Sequence, residues 1–261
     1  MNLQALMKAG GSMVRWRELR VTVAHCPICN ARRLFIRLKD YEIAARCLAC
    51  RASAVSLSIV SVLRQLAPDL HAMDTYELSS RGPLYRYLKT RARTLTASEY
   101  FDDVAPGEFH NGIQCQDVQR LTHDDARFDL CTSTEVFEHV PEDAKAFSEV
   151  FRVLRPNGLL VFTVPIHDGP RTLERAVLTS TGEVRHLLPP QYHGDPLRSG
   201  RILAFRTYGQ DVTERLQHAG FIDVKIVLPV DRIPWGYARP VVVAFKAGLV
   251  APPLPRARPL E

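Results

Sequence analysis

Four of the six cysteines stand as two pairs, Cys26-Pro27-Ile28-Cys29 and Cys47-Leu48-Ala49-Cys50, a C-x2-C-x17-C-x2-C spacing. Each C-x-x-C makes a tight knuckle that turns two sulfurs inward, and two knuckles closed by a hairpin give a tetrahedral shell for Zn²⁺. Four thiolates leave no open coordination position, so the ion expected at Cys26, Cys29, Cys47 and Cys50 is structural rather than catalytic. Arg32, Arg33, Arg46 and Arg51 lie close in sequence and offset the negative charge of such a centre. Disulfides are the competing reading; a reducing compartment disfavours them. His25 adjoins the first knuckle, but four cysteines make it unnecessary as a ligand.

Acid–base chemistry has its own candidates. Tyr192-His193-Gly194-Asp195-Pro196 is the densest polar cluster of a long connection over residues 166–206. His193 with Asp195 is the first candidate pair for proton transfer, and His167 is the second. Glu135, Glu138 and His139 form E-x-x-E-H, a spacing that places all three on one face of a helix or turn. Each histidine also has a plain reading as a hydrogen-bonding loop residue. Cys115 and Cys131 fall inside apolar strands and read as core.

These residues need a frame, and the pattern supplies one. The hairpin between the knuckles is expected from residues 33–38 and 41–46, with Lys39-Asp40 as its turn. Residues 52–66 read as a helix with an apolar stripe of Val55, Ile59, Val62, Leu63 and Leu66, ending before Pro68. Strands are then expected at 72–78, 94–99, 113–118, 128–133, 159–164, 221–228 and 240–246. Helices are expected after Gly82, over 141–154 and over 209–219. Seven strands alternating with helices imply an α/β fold, a mostly parallel sheet with helices on both faces. The domain reading is a zinc module over 1–52, a linking helix over 53–68, a large domain over 69–248 with a substrate cap at 166–206, and a Pro-rich, disordered tail over 249–261.

The net charge of +6 is uneven. Residues 1–52 hold ten Lys/Arg against three acids, while the remainder is nearly neutral. A basic module beside a neutral one suits an acidic partner such as nucleic acid or an anionic glycan, or compensates for the thiolates. No apolar run approaches the roughly 18–20 residues of a membrane span. The start lacks the pattern of a secretory signal, so a cytoplasmic protein is expected. Oligomeric state is not encoded in any visible pattern.

Three stretches then carry a resemblance: Phe128-Asp129-Leu130, Glu138-His139-Val140 and Arg152-Val153-Leu154-Arg155-Pro156-Asn157-Gly158. Over residues 73–246 the chain resembles class I S-adenosylmethionine (SAM)-dependent methyltransferases of the methyltransferase type 11-like group, behind an N-terminal zinc-ribbon module. That resemblance implies a Rossmann-like seven-stranded sheet, its last strand antiparallel, with SAM over the carboxyl ends of the first strands. It implies Glu77 as the first-motif acid, with Ser79 and Gly82 in the cofactor loop. Ser79 and Ser80 stand where the family has glycines, and Arg81 adds bulk. It further implies Glu99 on the ribose hydroxyls, Asp117 on the adenine amine, Val118 on the ring, and Ser133 beside the methionine part. The competing roles are a solvated loop acid for Glu99 and a helix cap for Asp117.

The residues after the fourth strand, Ser133-Thr134-Glu135, lack the Asn/Asp-Pro-Pro-Tyr/Phe motif of base and glutamine N-methylation. That leaves a hydroxyl oxygen, or a simpler nitrogen, on a small molecule or glycan. E-x-x-E-H also resembles quinone-biosynthesis O-methyltransferases, whose matching residues bind a divalent ion. Mg²⁺ at Glu135, Glu138 and His139, His139 as a base, and a structural pair are the three readings left open. Two others remain for the whole chain: an RNA-directed methyltransferase gripping through the zinc module, and a non-catalytic binding protein on the same fold.

Overall fold

The computed structural model describes residues 19–194 and 200–248. The expectations for Asp195, for residues 1–18 and for the tail beyond 248 lie outside the described residues.

The knuckles sit on a three-stranded antiparallel sheet rather than the expected two-stranded hairpin: β1 (Arg20–Cys26), β2 (Ala31–Arg37) and β3 (Ala45–Cys47) in that order. β3 begins at Ala45, because a 3-10 turn, Glu42–Ala44, takes up the residues expected to start it. Helix α1 (Ala54–Leu66) follows. Its residues Ala54–Leu63 are all buried, serines included. Such burial on every side reflects a helix packed between two layers. One layer contributes Cys26, Phe35 and Cys47 and the other Leu130, Val161 and Val243, all in one apolar cluster with α1. The buried serines stay satisfied because Ser58 Oγ accepts the Arg239 N–H (2.9 Å) and Ser61 Oγ the Asp231 N–H (3.1 Å).

The large sheet begins with β4 (Asp74–Glu77), α2 (Gly82–Lys89) and β5 (Thr94–Glu99). Next come β6 (Phe109–His110), β7 (Ile113–Cys115), β8 (Phe128–Thr134), α3 (Asp143–Val153) and β9 (Leu154–Thr163). A β-ribbon excursion of short strands follows: β10 (Leu173–Glu174), β11 (Ala176–Leu178), β12 (Val184–His186), β13 (Gln191–Gly194), β14 (Arg201–Ala204) and β15 (Arg206–Thr207). Helix α4 (Val212–His218), β16 (Ile222–Val227) and β17 (Val241–Phe245) close it.

The sheet order is β16-β17-β9-β8-β4-β5-β7-β6. It has eight strands, not seven. The addition is β6, a two-residue edge strand paired antiparallel to β7. Asn111 and Gly112 join them with φ of 50° and 79°, the paired positive values of a two-residue hairpin turn. The strands from β9 to β7 run parallel, and β17 is antiparallel to β9. β9 starts at Leu154 rather than near 159. Its register slips after the Phe128–Leu154 pair, where Asn157 adopts φ 64°.

Strand order reverses between β4 and β8, so the carboxyl ends of these strands open a crevice at a topological switch point. At the opposite, amino ends, Asp129 accepts Arg155 (2.8 Å) and the Asp74 N–H (2.8 Å). Arg93 and Thr94 hold Asp74 well below the usual carboxylate range. Two of the motif words read from the sequence thus meet here as a clamp on strand ends.

Candidate functional site

Glu77 ends β4 and is fully enclosed. Its neighbour across the parallel register is Thr132, whose hydroxyl donates to Glu77 Oε2. Burial, with nearby Glu99 adding repulsion, pushes the Glu77 carboxyl up to about 8; the Thr132 bond opposes this.

The loop after β4 turns onto Glu99 at the end of β5. Glu99 Oε1 accepts Ser80 N (2.8 Å), Ser80 Oγ (3.0 Å) and Ser79 Oγ (3.1 Å), and Arg81 Nε lies 3.4 Å away. Gly82 opens α2 at φ 86°, with nothing near its missing side chain. That conformation suits glycine and lets the loop reverse there. The serines standing in glycine positions therefore have a visible partner: the very carboxylate expected to take a ribose.

Beyond Glu99, the carboxyl ends of β5 and β7 frame a cavity of about 410 Å³ lined by Tyr100, Phe101, Asp102, Val104, Asp117 and Arg120. Asp117 Oδ1 accepts the Gln119 N–H (2.9 Å) and Gln119 Nε2 (3.0 Å), a local turn rather than a helix cap. Val118 faces the core cluster with Leu121 and Phe137, not the cavity lining. Ser133, on β8, is fully buried with its Oγ unpartnered.

Past β8 the chain makes a 3-10 turn, Phe137–His139. Glu135 adopts φ 54° and its carboxylate pairs with Arg239. Of the three readings left open for this stretch, the Mg²⁺ trio loses a member: Glu135 is paired with a guanidinium that no local spacing could have announced. Glu138 is fully buried, and neither carboxylate oxygen has a hydrogen-bond partner. Its Oε1 faces His193 Nδ1 at 3.5 Å and His139 Nε2 at 3.6 Å. Burial pushes Glu138 up to about 7, against the pull of His193. Glu138, His139 and His193 place one ligand atom each within 4.8 Å of one another.

The ribbon excursion builds this trio. β13 and β14 pair so that His193 stands opposite Ile202. Leu203 O lies 2.8 Å from His139 Nδ1, and Phe205 N donates to Glu138 O (2.8 Å). A carbonyl can only accept, so His139 carries a proton on Nδ1, and in the neutral ring its Nε2 is an acceptor. His193 Nδ1, 3.2 Å from that Nε2, must then carry a proton. His193 Nε2 is then unprotonated and accepts from Gln191 Nε2 at 3.5 Å, on a side chain about one quarter exposed. Arg206 holds the turn from below, donating to Pro141 O (2.7 Å) and Val140 O, with Glu174 3.1 Å from its Nε.

His167 is not part of this group. Its Nδ1 accepts Gly169 N (3.0 Å) and its Nε2 donates to Arg171 O (2.9 Å), which uses both ring nitrogens inside one loop.

At the far side of α1 the four cysteine sulfurs lie within 4.8 Å of one another, all as free thiols, with Cys26 and Cys50 at 3.7 Å. Sulfurs at about 2.3 Å from a tetrahedral Zn²⁺ would be about 3.8 Å apart. The donor set and the spacing therefore fit that ion.

Residues 79–162 match a methyltransferase domain family. The matched stretch runs from the loop after β4 to the end of β9. A ubiquinone biosynthesis O-methyltransferase of Coxiella burnetii is 40% identical over 71 residues, which span 25% of this chain and 30% of that protein. Among solved structures, an S-adenosylmethionine-dependent methyltransferase from Mesorhizobium loti is similar over 71% of this chain and 96% of its own (18% identity, TM-score 0.45). A Burkholderia thailandensis 1,6-didemethyltoxoflavin-N1-methyltransferase holding S-adenosylhomocysteine aligns over 72% of this chain and 76% of its own (18% identity, TM-score 0.44). Among the described residues no helix is long and apolar enough to cross a membrane.

Proposed function

We propose that the chain transfers a methyl group from SAM to a hydroxyl oxygen of a small molecule or glycan. The observation that carries this reading is the buried Glu138 carboxylate, without a hydrogen-bond partner, facing two imidazoles just past the carboxyl end of β8 within the matched stretch.

SAM, when bound, supplies an electrophilic methyl on a sulfonium. The cavity with Asp117, the acid Glu99 and the unpartnered Ser133 Oγ fit its polar parts, with Ser79 and Ser80 yielding Glu99 Oε1 to the ribose. His193 Nε2 would take the acceptor hydroxyl's proton, and with SAM bound the hydroxyl oxygen would take the methyl as the S–CH₃ bond breaks and S-adenosylhomocysteine leaves. The resulting imidazolium is stabilised by Glu138, while His139, fixed through Leu203 O, holds the ring in place. The Cys26, Cys29, Cys47 and Cys50 cluster would hold a structural Zn²⁺ that locks the N-terminal sheet.

A second reading rests on the same trio. Two imidazole nitrogens and one carboxylate suit a transition-metal ion better than Mg²⁺, which prefers oxygen ligands. Such an ion would lower the acceptor's pKa in place of a base.

Calorimetry with S-adenosylhomocysteine tests the cofactor: saturable binding is expected, lost in Asp117→Ala. No binding at millimolar ligand would refute it. Methyl transfer from labelled SAM to a panel of phenols and sugars tests the acceptor. His193→Ala is expected to lower kcat with the cofactor's affinity unchanged. Abolition by chelators, restored by Mn²⁺ or Zn²⁺ alone, would favour the metal reading.

A further inference from the structure

A second cavity, of about 530 Å³, lies away from the crevice, where the first cysteine knuckle meets the ends of α1 and α2. Its charged wall consists of Arg64, His71 and Arg91, and no carboxylate lines it. Neither arginine forms an ion pair with a carboxylate among the described residues. Arg91 lies over the Tyr87 ring at 4.3 Å and donates to Thr90 Oγ1 (3.0 Å), and Arg64 donates to Pro27 O (3.2 Å). Both guanidiniums therefore keep unused N–H donors. Burial raises the Tyr87 hydroxyl's pKa, and both Arg91 and Arg64 pull against that rise, which puts the two cations near one phenol. The lining also includes apolar surface from buried Ala67 and Leu70.

Uncompensated cations converging on a cavity attract an anion, and planar guanidiniums match the oxygens of phosphate. The volume exceeds what a bare ion fills, and the apolar surface suits an organic body attached to it. We infer that this junction binds a phosphate ester, its phosphate held by Arg64, Arg91 and His71 and its organic part against Ala67 and Leu70. The ester is either a free nucleotide-like phosphate or a phosphate of an RNA backbone, and both present the same group. The site lies outside the proposed methyl-transfer crevice and does not depend on that reading.

Calorimetry on the full chain with AMP, inorganic phosphate and a short single-stranded RNA tests it. AMP or the RNA is expected to bind saturably, more tightly than inorganic phosphate, and to weaken as salt rises. Arg91→Gln is expected to loosen that binding about tenfold, the loss of one charge-assisted contact, with the melting midpoint unchanged. Arg64→Gln should act likewise; because Arg64 also holds Pro27 O, Arg91→Gln decides if Arg64→Gln fails to fold. AMP binding assigns a free ester, and RNA binding without AMP assigns a backbone phosphate. Binding of none of the three, inorganic phosphate binding as tightly as AMP and RNA, or binding indifferent to Arg91→Gln would overturn the inference.

Discussion

Glu77→Gln should make the protein more stable and a worse cofactor binder. In the fold the Glu77 carboxyl titrates near 8, against 4.5 ordinarily, chiefly because it is buried. At about pH 7 the unfolded chain ionises this group while the folded chain keeps it protonated, which costs the fold about 3 kcal/mol. The sign follows from a raised acid pKa. The penalty is absent below the unfolded value, grows as pH rises through it, and levels off above the folded value. Glutamine is neutral at every pH, and its carbonyl still accepts the Thr132 hydroxyl. Thermal melts should therefore show a gain of roughly 6–12 °C at about pH 7 for a domain of this size, shrinking towards zero at about pH 4. An equal gain at both pH values, or a loss at neutral pH, would refute the assignment of Glu77 as a buried neutral acid. The same group should report the cofactor. A cationic ligand beside it would favour the carboxylate and expel a proton, visible as a binding enthalpy that changes with buffer ionisation enthalpy in the wild type but not in Glu77→Gln.

Three other outcomes are expected. Ser79→Gly/Ser80→Gly should tighten S-adenosylhomocysteine binding by up to about thirtyfold, since two hydroxyl donors at about 1 kcal/mol each no longer compete for Glu99; weaker binding would show that the serines hold the loop in its binding form. Arg206→Met should cost about 2–6 kcal/mol by leaving the buried Val140 and Pro141 carbonyls without donors, while Asp143 keeps Arg215 and Tyr208, measured by urea unfolding; a cost under about 1 kcal/mol would remove Arg206 as the prop of the Phe137–His139 turn. Elemental analysis should find one zinc per chain, and Cys26→Ser should lower both zinc content and melting temperature, because Cys26 shares an apolar cluster with α1; an intact metal-free protein with the same melting temperature would exclude the structural role.

The alternation of strands and helices was legible because each buried strand is a short apolar run and each helix keeps a stripe of period 3.6. β5 spans the residues expected of it, and β8 runs one residue further. β6 escaped because two residues carry no period, although Asn111-Gly112 is a strong hairpin signal and stood in plain view. β1 escaped for a different reason. It forms the open edge of the small sheet, with Val21 and Val23 exposed and Cys26 turned in, so its pattern lacks the usual apolar face of a strand.

The candidate site was only half legible, and the missing half is long-range. Glu138 and His193 were each singled out, but no spacing joins them, because the β10–β15 ribbons carry His193 back over the turn after β8. Glu135 looked equivalent to Glu138, being three residues away on the same expected face. A positive φ at Glu135 turns the chain out of helical geometry, sending one carboxylate to Arg239 and burying the other with the imidazoles. The deciding group is a backbone carbonyl, Leu203 O, which any residue at that position would offer and no sequence motif records. By accepting from His139 Nδ1 it fixes one tautomer, which fixes the next, so that His139 Nε2 accepts from His193 while His193 Nε2 is unprotonated and accepts from Gln191. On the proposed reading, the E-x-x-E-H stretch would supply the orienting groups and the proton acceptor would come from the excursion after β9, beyond the stretch that matches the methyltransferase domain family.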